Sequence, residues 1–494
     1  MTANKHLIII GAGIGGLSAG CYAQMNGYRS RIFERHSLPG GVCTGWKRKG
    51  YTFDGCMHHL VGCSPAARTH RMWRELGAMP RPVHFPEDLI GIENTQGKRF
   101  IVYTDLDRLE AHMRALAPAN GKVIREFVSA ARRLTRFSVM DMLLATPWEM
   151  VEALPYMGLM GKWGKRTLEQ LGGRFTDPFL RRAMGMIQYD FPDMPALIAL
   201  MFLAGCASGD FGWPAGGSLA FASAIAERYV ALGGEITYRA PVETIMVEED
   251  TAVGVRLSDG SEHRADVVIS NADGRTTIFD MLEGRYTTPL IHAFYDNPPQ
   301  QQEMALHVSF GVARGFPDEP HMLVLWLPEP VEIAGQHCDR LDIEFFNFAP
   351  EMAPAGKTAV QVVAPASYDD WQALSPAAYR AEKARVAETI TTCLERRFPG
   401  FAAQVEVTDV ATPLTTERFT GSFKGYQAWG IPGQTMLHAL MGKGLSKTLP
   451  GLTNFHMVGQ WAGGLGLPNV AAMGRKVIAD LCKRDGQRFT TTQA

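Results

Sequence analysis

The chain has 494 residues, more than one compact core accommodates and enough for two or three. Lysine and arginine total 49 against 50 aspartate and glutamate, so no basic excess points to nucleic acid. The eight cysteines are scattered without a CxxC pair, which indicates neither a metal site nor a disulfide framework. The first ten residues also lack the charged and apolar regions of a secretory leader, so the expectation is a reduced, cytoplasmic protein.

The first predicted element is an apolar strand, Leu7 to Ile10, that breaks directly into Gly11, Gly13, Gly15 and Gly16. In such a turn Gly11 permits the tight bend, Gly13 lets backbone N–H groups approach a diphosphate, and Gly16 lets the next helix lie close to the sheet. The diphosphate then meets a helix N-terminus, where unpaired amides favour negative charge. A second apolar element, Arg31 to Phe33, ends in Glu34 beside Arg35. A carboxylate at that distance accepts bonds from both ribose hydroxyls, favouring an unphosphorylated ribose. Gly40, Gly41 and Val42 give a second place of backbone approach, which FAD, with its long ribityl chain, requires and a nicotinamide does not. His58 and His59 follow the Asp54–Gly55 turn and are the candidate catalytic pair, while Asp54 reads as structural.

Residues 105–205 read as mostly helical and rich in Met, Leu, Phe and Trp. Apolar stripes at helical spacing are usually core. Asp141, Glu149, Glu152 and Lys162 interrupt any spanning helix. A monotopic face remains as the other reading, with Trp148, Tyr156, Met157, Met160 and Trp163 in a bilayer and Lys162, Lys165 and Arg166 at headgroups.

A second nucleotide-type block begins at Pro214–Ser218 and continues through a helix, Leu219 to Leu232, into a strand, Glu235 to Tyr238. Short apolar runs at 242–247, 252–257 and 266–270 then read as a β-meander returning to the sheet. Residues 295–410 alternate strand-like runs (306–312, 321–327, 341–348, 359–364) with a helix at 376–398, a mixed substrate domain capped by helices. The last block has a strand at 455–458, a glycine-rich turn from Gly459 through Gly466, and a helix from about Asn469 to Lys483 that brings its N-terminus to the cofactor. The predicted architecture is α/β. A discontinuous dinucleotide-binding Rossmann domain is assembled from 1–90, 206–294 and 411–494, and a mixed α+β substrate domain with a helical cap comes from 91–205 and 295–410.

The run GAGIGGL, Glu34, Gly40–Gly41, GYTFDGCMHHLVG (50–62), PAGGS (214–218), ADVVISNAD (265–273), TPLTTERFTGSFKGYQAWG (412–430) and NFHMVGQWAGGLGLPNVAAMGR (454–475) resemble, in order, the phytoene desaturase, carotenoid isomerase and retinol saturase family of FAD enzymes. That resemblance implies a flavin domain of the glutathione reductase type, non-covalent FAD, and an apolar tunnel to the isoalloxazine for a polyene or prenyl lipid. An unactivated C–H bond offers no acidic proton, so hydride transfer at flavin N5 is the expected chemistry of desaturation, saturation or isomerisation, and with no second dinucleotide motif evident the expected electron acceptor is a quinone or oxygen. By the same carry-over, Val242 meets the adenine, Gly41 and Thr44 lie beside the diphosphate and ribityl chain, and Asn271, Gly459, Gln460, Gly466, Leu467, Asn469 and Val470 complete the cofactor site. Gln460 stands where many relatives have an acidic residue, and its amide still bonds a hydroxyl. Tyr426 and Trp429 are candidates for the substrate channel, with a core role as the default. Two other readings stay open: an amine-oxidase-like flavoenzyme, and a flavin-bearing lipid-binding protein without turnover.

Overall fold

The computed structural model describes residues 5–79, 82–146, 148–188, 191–296, 302–333, 335–426, 446–462 and 466–494. Leu7, Ile8, Ile9 and Ile10 are all buried because the strand His6–Ile10 is the middle of a five-stranded parallel sheet. The order across it is Glu235–Tyr238, Arg29–Glu34, His6–Ile10, Val267–Ser270 and Phe455–Met457. Leu7 and Ile9 enter the core on one face, Ile8 and Ile10 the core on the other. A strand covered on both faces reads as a continuous apolar run rather than an alternating one. On one face the helix Ile14–Met25 packs between Gly217–Ala231 and Leu467–Arg484.

Of the expected meander, only Val267–Ser270 enters this sheet. Val242–Glu248, Thr251–Leu257 and Glu262–Arg264 pair antiparallel in a separate three-stranded sheet. Tight turns at Glu249–Asp250 and Asp259–Gly260 pair each of these strands with its neighbour in sequence.

The second large sheet has seven strands: Val405–Ala411, Gln302–Val312, Thr358–Ala366, Gln336–Phe345, Met322–Ile333, Asp88–Glu93 and Arg99–Tyr103. It is antiparallel except where Met322–Ile333 lies parallel to Asp88–Glu93. The helix Pro376–Arg397 covers one face with Val386, Ile390 and Leu394. The strand expected to reach residue 348 stops at Phe345. Phe345 N donates to His321 O, and Asn347 then turns away to donate from Nδ2 to the carbonyls of Phe316 and Glu319.

The Met-rich insertion is helical with its own core, in which Phe127, Trp163, Leu171, Phe175 and Leu200 are fully or almost fully buried. This corrects the membrane-face reading. Trp163 is 2% exposed, Met160 packs on the core, and Tyr156 stacks on Phe137 with centroids 4.4 Å apart. Lys162 is held 2.5 Å from Glu126, to which Arg166 also lies close. Trp148 at 87% and Met157 are exposed as that reading has them, and Met150, Val151 and Leu154 at 60% join them. They form a ridge on the turn Glu149–Tyr156, which Arg68 fastens through Glu149 and Glu152. Among the described residues no helix is long and apolar enough to cross a membrane.

Candidate functional site

A cavity of about 590 Å³ opens at the C-terminal ends of the parallel strands, where α/β folds of this kind hold their ligands. Each of four strands delivers residues to its wall: Ile10 and Gly11, then Phe33 to Arg35, then Asn271 to Asp273, then Gly459 to Trp461. The helix Ile14–Met25 starts there with Gly13 as a cap that supplies no side chain, so its first amides face the cavity uncapped. A Cβ on Gly13 would lie 2.5 Å from Asn271 Nδ2, and one on Gly15 would lie 2.6 Å from Asn271 Oδ1. Asn271 therefore fills the space that side chains would otherwise take, leaving a cradle of bare backbone. Gly16 does not line the cavity. A Cβ there would strike the Gly11 carbonyl, so its role is the close approach of helix to sheet.

Glu34 is buried at the expected place, but its carboxylate also closes the glycine turn. Oε2 accepts from Ala12 N at 2.7 Å and Oε1 from His36 N at 2.7 Å. Burial pushes its carboxyl above the usual range, against the pull of those two amides. Each oxygen keeps a further lone pair toward the cavity. Arg35, Gly40, Gly41, Val42, Val242, Gln460, Gly466, Leu467 and Val470 also line the wall. Thr44 and Asn469 do not. Thr44 backs the hairpin behind it, accepting from Gly55 N, and Asn469 is buried behind the start of the last helix. Tyr426 is 3% exposed, packs in the core beneath the parallel sheet and is not among the residues lining this cavity. Trp429 lies outside the described residues.

The far end of the cavity is set by Asp54. Its Oδ1 accepts from Cys56 N and Met57 N, both at 3.0 Å, and from Ser218 Oγ at 2.7 Å, while Oδ2 accepts from Ser218 N at 2.6 Å. One carboxylate thus ties the turn before His58 to the start of the helix Gly217–Ala231. Gly217 has φ +68°, and a Cβ there would collide with Asp54 Oδ2.

So anchored, His58 and His59 both reach the cavity wall. His58 Nδ1 lies 2.5 Å from Glu344 Oε1, on the strand Gln336–Phe345 of the other large sheet. Burial alone would lower the His58 pKa, but the Glu344 charge holds it above the usual imidazole range, with Cys56 and Asp54 adding to the effect. Glu344 is shifted the other way: burial would raise it, and His58, His307 and His321 hold it low. His59 is different. Burial, then His321 and His58, push its pKa well below the usual value, so it is neutral. Its ring lies 5.7 Å from His321, whose Nδ1 is 2.8 Å from Asp88 Oδ1, and 6.1 Å from Phe202.

Sequence reasoning missed Gln188, Phe202, Asp273 and Glu344. Glu344 had a signal: Leu341, Ile343 and Phe345 enter the core, so Asp342 and Glu344 alternate onto the opposite face of the strand. Phe202 sits in the apolar helix Ala196–Ala207 and Gln188 in a turn after Met186, and nothing local distinguishes either. No group of three His, Cys, Asp or Glu side chains among the described residues is arranged to hold a metal ion.

A glycine cradle and an uncapped helix start at the C-terminal ends of parallel strands define a dinucleotide-binding Rossmann half. In keeping with this, residues 9–76 match the NAD(P)-binding Rossmann-like domain. The chain is 27% identical to a chloroplastic prolycopene isomerase of Arabidopsis thaliana over 455 residues, covering 85% of this chain and 73% of that protein. It is 24% identical to a neurosporene-forming phytoene desaturase of Cereibacter sphaeroides, covering 83% and 82%. Its fold is like that of putrescine oxidase solved with putrescine bound, at a TM-score of 0.59 and 16% identity over 98% of this chain and all of that one. The resemblance to carotenoid isomerases and desaturases therefore extends along most of the chain.

Proposed function

We propose that the chain binds FAD and acts on carbon–carbon bonds of a long apolar polyene or prenyl lipid. The observation that carries this reading is the single cavity wall that joins the glycine cradle to Met57, His58, His59 and Phe202. The cradle suits a diphosphate, Glu34 and Arg35 stand on the wall where a ribose would bind, and the same lining continues to Met57, His58, His59 and Phe202. Cavities of several hundred Å³ with mostly apolar walls and few polar groups are typical of such ligands. Bound FAD would supply hydride acceptance at N5, with the polyene chain as donor in a desaturation.

The chain's own residues would do the rest. Amides at Gly13 to Gly15 hold the diphosphate, and Gln460 offers its amide to the ribityl hydroxyls. The helix Leu467–Arg484 begins beyond Gly466 with no side-chain cap, and its first amides stabilise negative charge near the pyrimidine edge. Apolar walls exclude water from the reacting carbons, and the His58–Glu344 pair fixes one positive and one negative charge beside them. Among the described lining residues there is no lysine, which would have favoured the amine-oxidase-like reading. The ridge of Trp148, Met150, Val151, Leu154 and Met157 suits a lipid surface, from which such a substrate would be taken.

An anaerobic titration of the purified protein with detergent-dispersed polyenes tests the reading. Loss of the oxidised flavin band with a more conjugated product identifies a desaturase; turnover only after chemical reduction identifies an isomerase or a saturase. A purified protein that carries no flavin and gains none on reconstitution overturns the proposal.

A further inference from the structure

Two thiols stand on the cavity wall that the chemistry proposed above does not use. Cys43 follows the glycine pair Gly40–Gly41, and Cys56 opens the turn that carries His58 and His59. The hairpin between them sets them face to face. Its strands Gly45–Arg48 and Tyr51–Asp54 pair Trp46 with Phe53 and Gly45 with Asp54, and one step further on Gly55 N donates to Thr44 O at 2.9 Å. The next pair in that register is Cys43 with Cys56. Opposed residues of an antiparallel pair hold their Cβ atoms about 4.5–5.5 Å apart, closer where they share no backbone bonds, which is a small step from the span of a disulfide. The side chains agree with the register: the two sulfurs are in hydrogen-bonding contact, and both are free thiols.

The two differ in exposure. Cys43 is 1% exposed, and its thiol donates to Ser218 O at 3.6 Å. Contact with Cys56, then burial, raises its pKa well above the usual thiol value, so it stays protonated. Cys56 is half-buried, and its backbone N–H is fixed on Asp54 Oδ1 at 3.0 Å. A thiolate rather than a thiol attacks an oxidant, so the more exposed Cys56 meets it first and Cys43 is held in place to follow.

We infer that Cys43 and Cys56 form an oxidation site for hydrogen peroxide entering the cavity, and that the cross-strand disulfide they make locks the Gly40–Gly41 wall to the His58–His59 turn. Cys56 Sγ gives an electron pair to one peroxide oxygen, the O–O bond breaks, and a sulfenic acid forms while the departing hydroxide leaves with the thiol proton as water. Cys43 Sγ then displaces the sulfenic hydroxyl, which takes the Cys43 proton and leaves as a second water. The thiols lose two electrons in all, and one peroxide becomes two waters. Both segments joined by the new bond line the cavity, so a cofactor held there leaves more slowly from the oxidised protein. That consequence rests on the flavin reading; the disulfide itself does not.

The test is oxidation of the reduced protein, with and without FAD, by a slight excess of hydrogen peroxide, followed by alkylation, digestion and mass mapping. The expected product is a bond between the peptides of Cys43 and Cys56, reversed by a thiol reductant and absent from Cys56→Ala. In flavin-loaded protein, transfer of the flavin to an excess of an apoflavoprotein trap should be roughly tenfold slower after oxidation, and Cys56→Ala should lose that difference. If Cys56→Ala does not fold, the mapping on the unaltered protein decides. Oxidation of Cys56 to a sulfinic acid with Cys43 still alkylated, or bonds scattered among the other cysteines, overturns the site. A disulfide that leaves flavin transfer unchanged overturns the lock. A protein that makes the disulfide yet never takes up flavin keeps the oxidation site and overturns the flavin reading, and the lock with it.

Discussion

The nucleotide end of the cavity is shaped by backbone: glycines, helix starts and strand ends, with Asn271 as the main side chain among them. The substrate end is shaped by side chains, His58, His59, Gln188 and Phe202, drawn from a loop and two parts of the helical insertion and backed by Glu344 from the second sheet. Backbone geometry tolerates almost no added atom but is indifferent to the chemistry of its neighbours. A side-chain wall can be re-cut one residue at a time without disturbing the fold. A protein so divided can keep its cofactor fixed while its substrate changes.

The sharpest way to break that contrast is at Gly13. Gly13→Val would drive its side chain into Asn271, and the purified protein is expected to lose its flavin entirely; a variant that stays yellow shows that the cradle has been assigned to the wrong residues. Next in size is the tie between the two ends. Asp54→Ala removes the acceptor for four donors, and chemical denaturation should show a loss of about 3 kcal/mol or more, with the His58–His59 turn loosened; a loss below about 1 kcal/mol means that the tie is dispensable.

The His58–Glu344 pair gives a smaller, pH-dependent effect. His58 is raised in the fold, so its contribution is complete below the ordinary value of 6.5 and is lost as pH rises through the folded value. Glu344 is lowered, so its contribution is complete above 4.5 and is lost as pH falls through the folded value. The pair thus stabilises most between pH 4.5 and 6.5, and Glu344→Gln should flatten the profile of melting temperature across that window. An unchanged profile would mean that the two charges do not sense each other. The smallest effect on the fold is expected on the ridge. The double substitution Trp148→Glu and Leu154→Glu should change stability by no more than about 0.5 kcal/mol while abolishing co-sedimentation with liposomes. Undiminished co-sedimentation would remove the ridge from any role at a lipid surface.

The same division explains what could be read in the sequence. The parallel sheet was legible because a doubly covered strand leaves an apolar run, and its turns leave glycines at spacings that few other structures demand. Its strands at Leu7, Arg31, Glu235, Val267 and Phe455 all fall where their residues indicated. Of the three-stranded antiparallel sheet the strands at Val242 and Thr251 were legible, but neither the short strand Glu262–Arg264 nor the separate body was, since period and turn residues say nothing about which edge a hairpin joins. The ridge shows the opposite failure. Trp148 and Trp163 have equal hydropathy, and only packing puts one in solvent and the other in the core. Gln188 could not be found at all, because a polar residue in a turn acquires its meaning from the cavity that the fold builds around it.

The parallel sheet also sets a schedule for the chain's own synthesis. Val268 pairs with Phe455 on one side and Ile8 on the other, so a strand made midway through translation must wait for a neighbour near the end. At ordinary rates of elongation that wait is roughly 10–40 s. During it the Val267–Ser270 edge and the apolar face awaiting Leu467–Arg484 stand open. A nascent chain with such an edge is a natural client for a holding chaperone, and slower translation would lengthen its exposure rather than help it fold.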